Sequence, residues 1–328
     1  MYTSTFPNVT TDKIVDSLHQ KGFFVFEEAL TEQYIDELLQ EINFNQILVN
    51  ANDVGVVIAK HQKFLTHCLA KSKKAYDLIT SPQILEICEN YFQDRYVLIN
   101  HRIYQTQKIS HMPWHTDNNR QVGRQLSSKH DMPGLLFLFY LSDVTKNPFQ
   151  LVKDSHLWSH KHNHEIYLSD AFIEKKYQKD VINFTLKKGS LILCNIHAVH
   201  RAEPFKDNTY TRNTLLFQVD QVGSNVIGHG EKNLVNTEFI DNINPKIMNY
   251  LGFGYKTDYP AFPNTSISTL TLQDLISLHR QLLALTLKSS AKNLALSLLP
   301  GEIIIQIKRI LWNWKSKQIN TEKIKDIK

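Results

Sequence analysis

The sequence predicts a mainly β fold with flanking helices, an antiparallel sandwich or barrel rather than an alternating strand–helix sheet. Between Arg95 and Val222 lie five short apolar or alternating runs separated by turns (95–106, 135–141, 182–186, 190–196 and 211–222). Helical periodicity is confined to the first ninety or so residues and to the C-terminal end. No glycine-rich phosphate loop and no internal repeat interrupts the pattern.

Taken in order, Thr11 is placed to cap a helix with Ile14, Val15 and Leu18 in one stripe, ending near Gly22. Phe23 to Phe26 reads as a strand. Thr31 caps a second helix, with Glu32 in its first turn and Ile35, Leu38, Leu39 and Ile42 along one side. Ser81-Pro82 starts another helix, proline fitting the first helical position, with Leu85, Cys88 and Tyr91 or Phe92 facing the core. Arg95 to Thr106 is β-like. The unbroken apolar run Leu135 to Leu141 is a buried strand. Ile182, Phe184 and Leu186 share one face of the next strand. Lys188-Gly189 is a turn, Ser190 to Ile196 a further strand and Thr211 to Val222 another. After about Gly223 the pattern loosens, and 252–255 and 259–263 read as ordered loop. Leucines at helical spacing fill 270–299, Pro300-Gly301 breaks that helix, and Ile303 to Trp314 is a short apolar and basic segment.

The 328 residues include three scattered cysteines, Cys68, Cys88 and Cys194, which form neither a disulfide framework nor a zinc-finger pattern. They read as small buried hydrophobes in a reducing compartment. No apolar run approaches the roughly 18–20 residues of a membrane span. Met1 to Val9 lacks the layout of a signal peptide. These features predict a cytoplasmic protein. The net charge is +5, and from Gly301 onward seven basic residues face three acidic ones, so the body is nearly neutral. A nucleic-acid partner is not expected, because such an enzyme carries a basic face on its body.

Chemistry concentrates in Met112-Pro113-Trp114-His115-Thr116-Asp117. In an extended strand residues two apart point the same way, so His115 and Asp117 project together. An imidazole and a carboxylate supply two ligands for a divalent metal, and a histidine from a distant strand completes a facial triad with three open positions. Taken alone the pair is equally consistent with a surface histidine–carboxylate hydrogen bond. A second stretch, Lys188 to His200, reads as a turn, a buried strand and a histidine at its end. Twelve positions on, Arg212 opens the next strand and shares its face with Thr214, Leu216 and Gln218, while Leu215, Phe217 and Val219 line the other. A guanidinium facing inward requires an anion: a ligand carboxylate or a structural salt bridge. His197 competes with His200 for the third ligand position. His160, His162 and His164, with His156 before them, form a histidine-rich tract of the kind that binds metal. The intervening Lys161 and Asn163 make it a solvated loop. Trp114 is expected to wall the pocket.

Over residues 10–220 the chain resembles the phytanoyl-CoA dioxygenase family of iron(II)- and 2-oxoglutarate-dependent oxygenases. The resemblance is carried, in order, by Gly22-Phe23-Phe24-Val25, Trp114-His115-Thr116-Asp117 and Leu141-Ser142-Asp143. Asp154-Ser155-His156 follows, where the family usually has Gly-Ser-His, then Gly189, His200 and Arg212. It implies a double-stranded β-helix of jelly-roll, cupin-like type. It implies iron held by His115, Asp117 and His200, with O2 as oxidant and Arg212 on the 2-oxoglutarate co-substrate. The family's spacing to the arginine favours His200 over His197. Further co-substrate contacts are expected near Arg102, Tyr104 and Thr116. Two positions depart from the family pattern: Thr116 stands where glutamine is frequent, and Ala202 where a small hydroxyl residue often follows the second histidine.

The implied activity is hydroxylation of an unactivated C–H bond in a small-molecule, lipid or sugar-type metabolite. Asp117 keeps the carboxylate that related halogenases replace with a small residue. The competing readings are a non-catalytic jelly-roll binding protein and a cupin-like enzyme using another divalent metal. The organisation expected is an oxygenase domain over 1–222, ordered loops packed on it over 223–268, and a helical extension over 269–328. The extension's apolar and basic residues fit core packing, an oligomer contact, or a weak contact with an anionic membrane surface.

Overall fold

The computed structural model describes residues 1–44, 56–58, 62–107, 112–117, 133–158, 167–204, 210–221, 233–241, 244–253, 272–307 and 309–311. These fall in two compact units, Met1–Gly254 and Tyr255–Leu311.

The first unit opens with α1 (Thr11–Lys21), β1 (Phe23–Phe26) and α2 (Glu32–Ile42). The α1 cap differs from expectation: Thr10 occupies the N-cap position without a side-chain bond, and the Thr11 hydroxyl donates to Glu86 at 2.9 Å instead. Thr31 caps α2 through the Tyr34 amide. There follow β2 (Val56–Ile58), β3 (Gln62–Thr66), α3 (Cys68–Lys71), α4 (Lys73–Ile79) and α5 (Pro82–Phe92), the last starting on its proline. Then come β4 (Tyr96–Thr106), β5 (Trp114–His115), β6 (Gly134–Tyr140), β7 (Phe149–Val152) and β8 (Tyr167–Leu168). After these stand α6 (Asp170–Tyr177), β9 (Val181–Phe184), β10 (Leu191–Asn195), β11 (His200–Ala202) and β12 (Arg212–Gln221). The loosely patterned region holds a helix the periodicity did not reveal, α7 (Pro245–Tyr250), too short to show a full stripe. It is capped by the Asn244 side chain on the Lys246 amide.

All strand pairs are antiparallel. They form a seven-stranded sheet in the order β1-β10-β6-β12-β4-β3-β2 and a five-stranded sheet in the order β8-β5-β11-β7-β9. The unbroken burial of β6 is explained by layers on both its faces. Leu135, Phe137 and Phe139 join Leu215, Phe217 and residues of α1, α2, α4 and α5 in one core. Leu136, Leu138 and Tyr140 face the other way, meeting Phe149, Leu151, Phe184 and Ile196 between the two sheets. A third cluster, Trp114, Val152, Leu168, Ile173 and Val199, lies on the outer face of the small sheet beneath α6. Tyr250 and Leu251 add α7 to the first core.

One glycine turn is enforced by both conformation and contact. Gly189 has φ +93°, and a Cβ there would sit 2.7 Å from the Leu30 carbonyl oxygen. The three cysteines are buried and unpaired.

The second unit contains α8 (Leu272–Leu298), with further helix at 301–307 and 309–311. Among the described residues no helix is long and apolar enough to cross a membrane. Trp312 and Trp314, the histidine tract 160–164 and the 254–271 segment lie outside the described residues.

Candidate metal and co-substrate site

Two strands of the small sheet bring the His-x-Asp pair and the distal histidine together. β5 and β11 pair with His115 opposite His200, and the Asp117 amide donates to the Ile196 carbonyl at 3.0 Å. The imidazole centroids are 4.5 Å apart. His115 Nε2 lies 3.9 Å from Asp117 Oδ1, and His200 Nε2 lies 3.4 Å from Asp117 Oδ2. One ligand atom from each of the three residues falls within 4.8 Å of the others. His197 sits on the turn that precedes β11, its amide taken by the Asn195 side chain at 2.9 Å, and is not in this cluster.

The hydrogen bonds set the histidine tautomers. His115 Nδ1–H donates to the Pro113 carbonyl at 2.8 Å, and His200 Nδ1–H donates to the Ala198 carbonyl at 2.9 Å. Each neutral ring therefore turns an Nε2 lone pair towards Asp117, the state a metal ligand requires. Burial opposes protonation of His200, but the adjacent Asp117 carboxylate and the Ala198 bond outweigh it and leave its pKa above the ordinary value. Two imidazole lone pairs and a carboxylate, clustered and oriented from behind, fit a divalent iron ion with one face left open.

Arg212 begins β12 on the face that looks between the sheets. Register places it opposite Thr106, and places Thr214 opposite Tyr104 on one side and Tyr140 on the other. The guanidinium is buried at 8% exposure and donates through Nη1 to the Asn147 carbonyl, while its Nε has no acceptor among the described residues. Burial lowers its pKa, and the neighbouring phenols of Tyr140, Tyr210 and Tyr104 only partly oppose this. Among the described residues no Asp or Glu pairs with it, so the structural salt bridge the sequence allowed is not formed there. A buried guanidinium with a spare donor fits a ligand carboxylate.

Tyr104 ties the two halves together. Burial pushes its phenol up, the hydrogen-bonded Arg102 works against this, and the charges of Asp117 and Arg212 also reach it. Arg102 lies opposite Leu216, two positions along the same strand face. Thr116 is half-buried between the two ligand-type residues, and Ala202 ends β11.

Trp114 departs from expectation. Strand alternation sends its indole to the face opposite His115, into the outer cluster, so it does not wall the pocket. Two supporting residues escaped the sequence reading. Arg201, next to His200, covers that indole from 4.2 Å while donating to Gln150 and Asp170. Ser155 Oγ donates to the Val152 carbonyl at 2.6 Å and accepts from the Val199 amide at 2.7 Å, fixing the residue before His200. Its place in the Asp154-Ser155-His156 motif was the available signal. That motif also explains the early glycine: His156 Nε2–H donates to the His19 carbonyl at 3.0 Å, and a Cβ on Gly22 would meet its ring at 2.5 Å. Asp154 has φ +58°, the left-handed conformation glycine adopts freely where the family carries it.

The two antiparallel sheets are the double-stranded β-helix, and with this donor set they define a metal- and 2-oxoglutarate-dependent oxygenase. The chain belongs to the phytanoyl-CoA dioxygenase family, whose profile matches residues 18–212. That family uses iron(II), 2-oxoglutarate and O2. Among solved structures, the chain is similar to HygX from Streptomyces hygroscopicus with nickel and 2-oxoglutarate bound. Identity is 18%, covering 66% of this chain and 89% of that one, at a TM-score of 0.50. It is also similar to the epimerase SnoN in complex with Fe3+, alpha ketoglutarate and nogalamycin RO. There identity is 14% over 68% of this chain and 93% of that one, at a TM-score of 0.50. No curated protein matches the chain in sequence.

Proposed function

We propose that the protein hydroxylates an unactivated C–H bond of a small-molecule, lipid or sugar-type metabolite. The observation that carries this is a buried guanidinium with an unused donor, Arg212, on the same sheet face as Tyr104, whose phenol feels the charge of Asp117 in the His115–Asp117–His200 cluster. In this reading His115, Asp117 and His200 hold iron(II), and Arg212 grips the distal carboxylate of 2-oxoglutarate as a fork. Tyr104, Arg102 and Thr116 complete the co-substrate's surroundings. When bound, iron couples the decarboxylation of 2-oxoglutarate to succinate and CO2 with reduction of O2, giving an oxidant able to attack a C–H bond.

The chain's own part is positional. His115 and His200 are held by backbone carbonyls so that both rings face one point. Asp117 supplies the third ligand and leaves no vacancy for halide, which favours oxygen insertion. The apolar layer of Leu136, Leu138, Phe149 and Ile196 limits water between the sheets.

The test is anaerobic addition of iron(II) and 2-oxoglutarate, which should develop the weak visible charge-transfer band of their chelate. A succinate-release assay against a metabolite library then finds the substrate, and product mass reports a gain of one oxygen atom. A product of unchanged mass, or one lighter by two hydrogens, would replace hydroxylation with epimerisation or ring closure on the same site. No chelate band from folded protein would remove the reading altogether.

A further inference from the structure

The C-terminal helices carry an apolar surface that no other described residue of their own unit covers. Along α8, Ile276, Leu283, Leu287, Leu294 and Leu298 recur at intervals of seven and four, which places them in one stripe. All five are exposed, from 46% for Ile276 to 75% for Leu298. Leu282 and Leu285 are exposed as well, Leu285 on the opposite side of the helix. Gln281, Lys288 and Lys292, also seven and four apart, form a narrow polar stripe on the other side. The pattern continues past Pro300: Ile303, Ile307, Ile310 and Leu311 are exposed at the spacing of one helical face.

Charge follows the same division. Residues 272–311 contain five basic and two acidic residues, net +3, while 1–271 contain 27 basic and 28 acidic, net −1. The helical segment that carries the leucine and isoleucine surface is therefore positively charged, while the rest of the chain up to residue 271 is nearly neutral. Pairing this surface with a second copy of itself would bring like charges together. A surface both apolar at its boundary and negatively charged satisfies both features at once.

We propose that α8 and the helix after it form a docking surface for an anionic phospholipid bilayer. The helices lie in the plane of the interface, with the Ile276–Leu298 stripe and Ile303, Ile307, Ile310 and Leu311 among the acyl chains and the lysines at the headgroups. The helix is too polar to span the bilayer, consistent with in-plane binding. The inference is independent of the chemistry assigned to the oxygenase site.

The experiment is co-sedimentation of the full-length protein with vesicles of phosphatidylglycerol and phosphatidylcholine, against phosphatidylcholine alone. We expect pelleting with the anionic vesicles at low salt, much weaker pelleting with the neutral ones, and release as salt screens the lysines. Leu287→Ser with Leu294→Ser should lower the vesicle affinity by on the order of tenfold or more, since two leucines lose apolar burial. Lys288→Glu with Lys292→Glu should weaken anionic binding selectively. Both variants change exposed positions, so circular dichroism and the iron–2-oxoglutarate band should stay as in the parent. The proposal is overturned if the protein does not pellet with anionic vesicles at low salt, or if both variants pellet like the parent. It is equally overturned if sedimentation velocity shows a dimer that the leucine variant abolishes while vesicle binding is absent.

Discussion

The guanidinium carbon of Arg201 lies 4.2 Å from the centre of the Trp114 indole, joining the residue after His200 to the residue before His115. Arg201 Nε donates to Gln150 Oε1 at 2.7 Å and Nη1 to Asp170 Oδ1 at 2.6 Å, so the side chain is held in place over the ring. The contact clamps β5 to β11 on the face away from the site and so fixes the spacing of His115 and His200.

Removing that clamp should loosen the site without emptying it. Arg201→Ala is expected to cost about 1–2 kcal/mol of stability through the lost cation–π contact and the partly buried ion pair. Iron(II) affinity should fall about tenfold or more, as for other supporting residues of metal sites. Arg201→Lys should recover part of both. Thermal denaturation and anaerobic iron titration measure the two effects. Unchanged iron affinity in Arg201→Ala would make the contact purely structural.

The ligand assignment predicts a pattern across five positions. His115→Ala, Asp117→Ala and His200→Ala should each abolish the charge-transfer band and turnover with the fold intact, while His197→Ala keeps both. Arg212→Lys should weaken 2-oxoglutarate binding far more than iron binding, because lysine keeps the charge but loses the fork. Calorimetric titration of each ligand separates the effects. A dead His197→Ala beside an active His200→Ala would reverse the assignment.

Ser155→Ala tests the support beneath β11. It leaves the Val199 amide buried without its acceptor, which should cost about 1–3 kcal/mol. The melting temperature reports the loss, and Ser155→Thr should restore part of it if the hydroxyl is what matters.

His101 gives the stability a pH dependence of known sign. It is buried at 2% exposure, and desolvation, helped by His67 and Arg102, pushes its pKa down to about 3 from the ordinary histidine value. Below about pH 6.5 the unfolded chain takes a proton that the folded chain refuses, so stability falls as pH falls from there towards 3. Between pH 7 and pH 5 this contribution is about 2 kcal/mol. Urea melts of the parent and of His101→Phe across that range measure it. The variant's stability should decline less steeply with acid, and parallel curves would contradict the assignment.

The sequence by itself determined the features that depend on near neighbours. Period-two alternation put His115 and Asp117 on one side and Arg212 with Thr214 and Leu216, the apolar run at Leu135–Leu141 announced a strand covered on both faces, and Gly189 marked a turn. The same alternation already placed Trp114 opposite His115, and assigning it to the pocket overlooked that rule. Strand parity alone left His197 and His200 open; the family's spacing to Arg212 favoured His200, and the tertiary structure stands it beside Asp117. The chain turns between Asn195 and His197 and restarts as β11 at His200, so strand parity cannot be counted across the break. Only the tertiary structure decided that Arg201 covers Trp114, that Ser155 holds Val199, and that His156 closes over Gly22. Each of these joins residues 44 to 134 positions apart in the chain. The physical reason is that side-chain direction is set by local backbone geometry, whereas these partners are chosen by how two sheets and their covering helices pack.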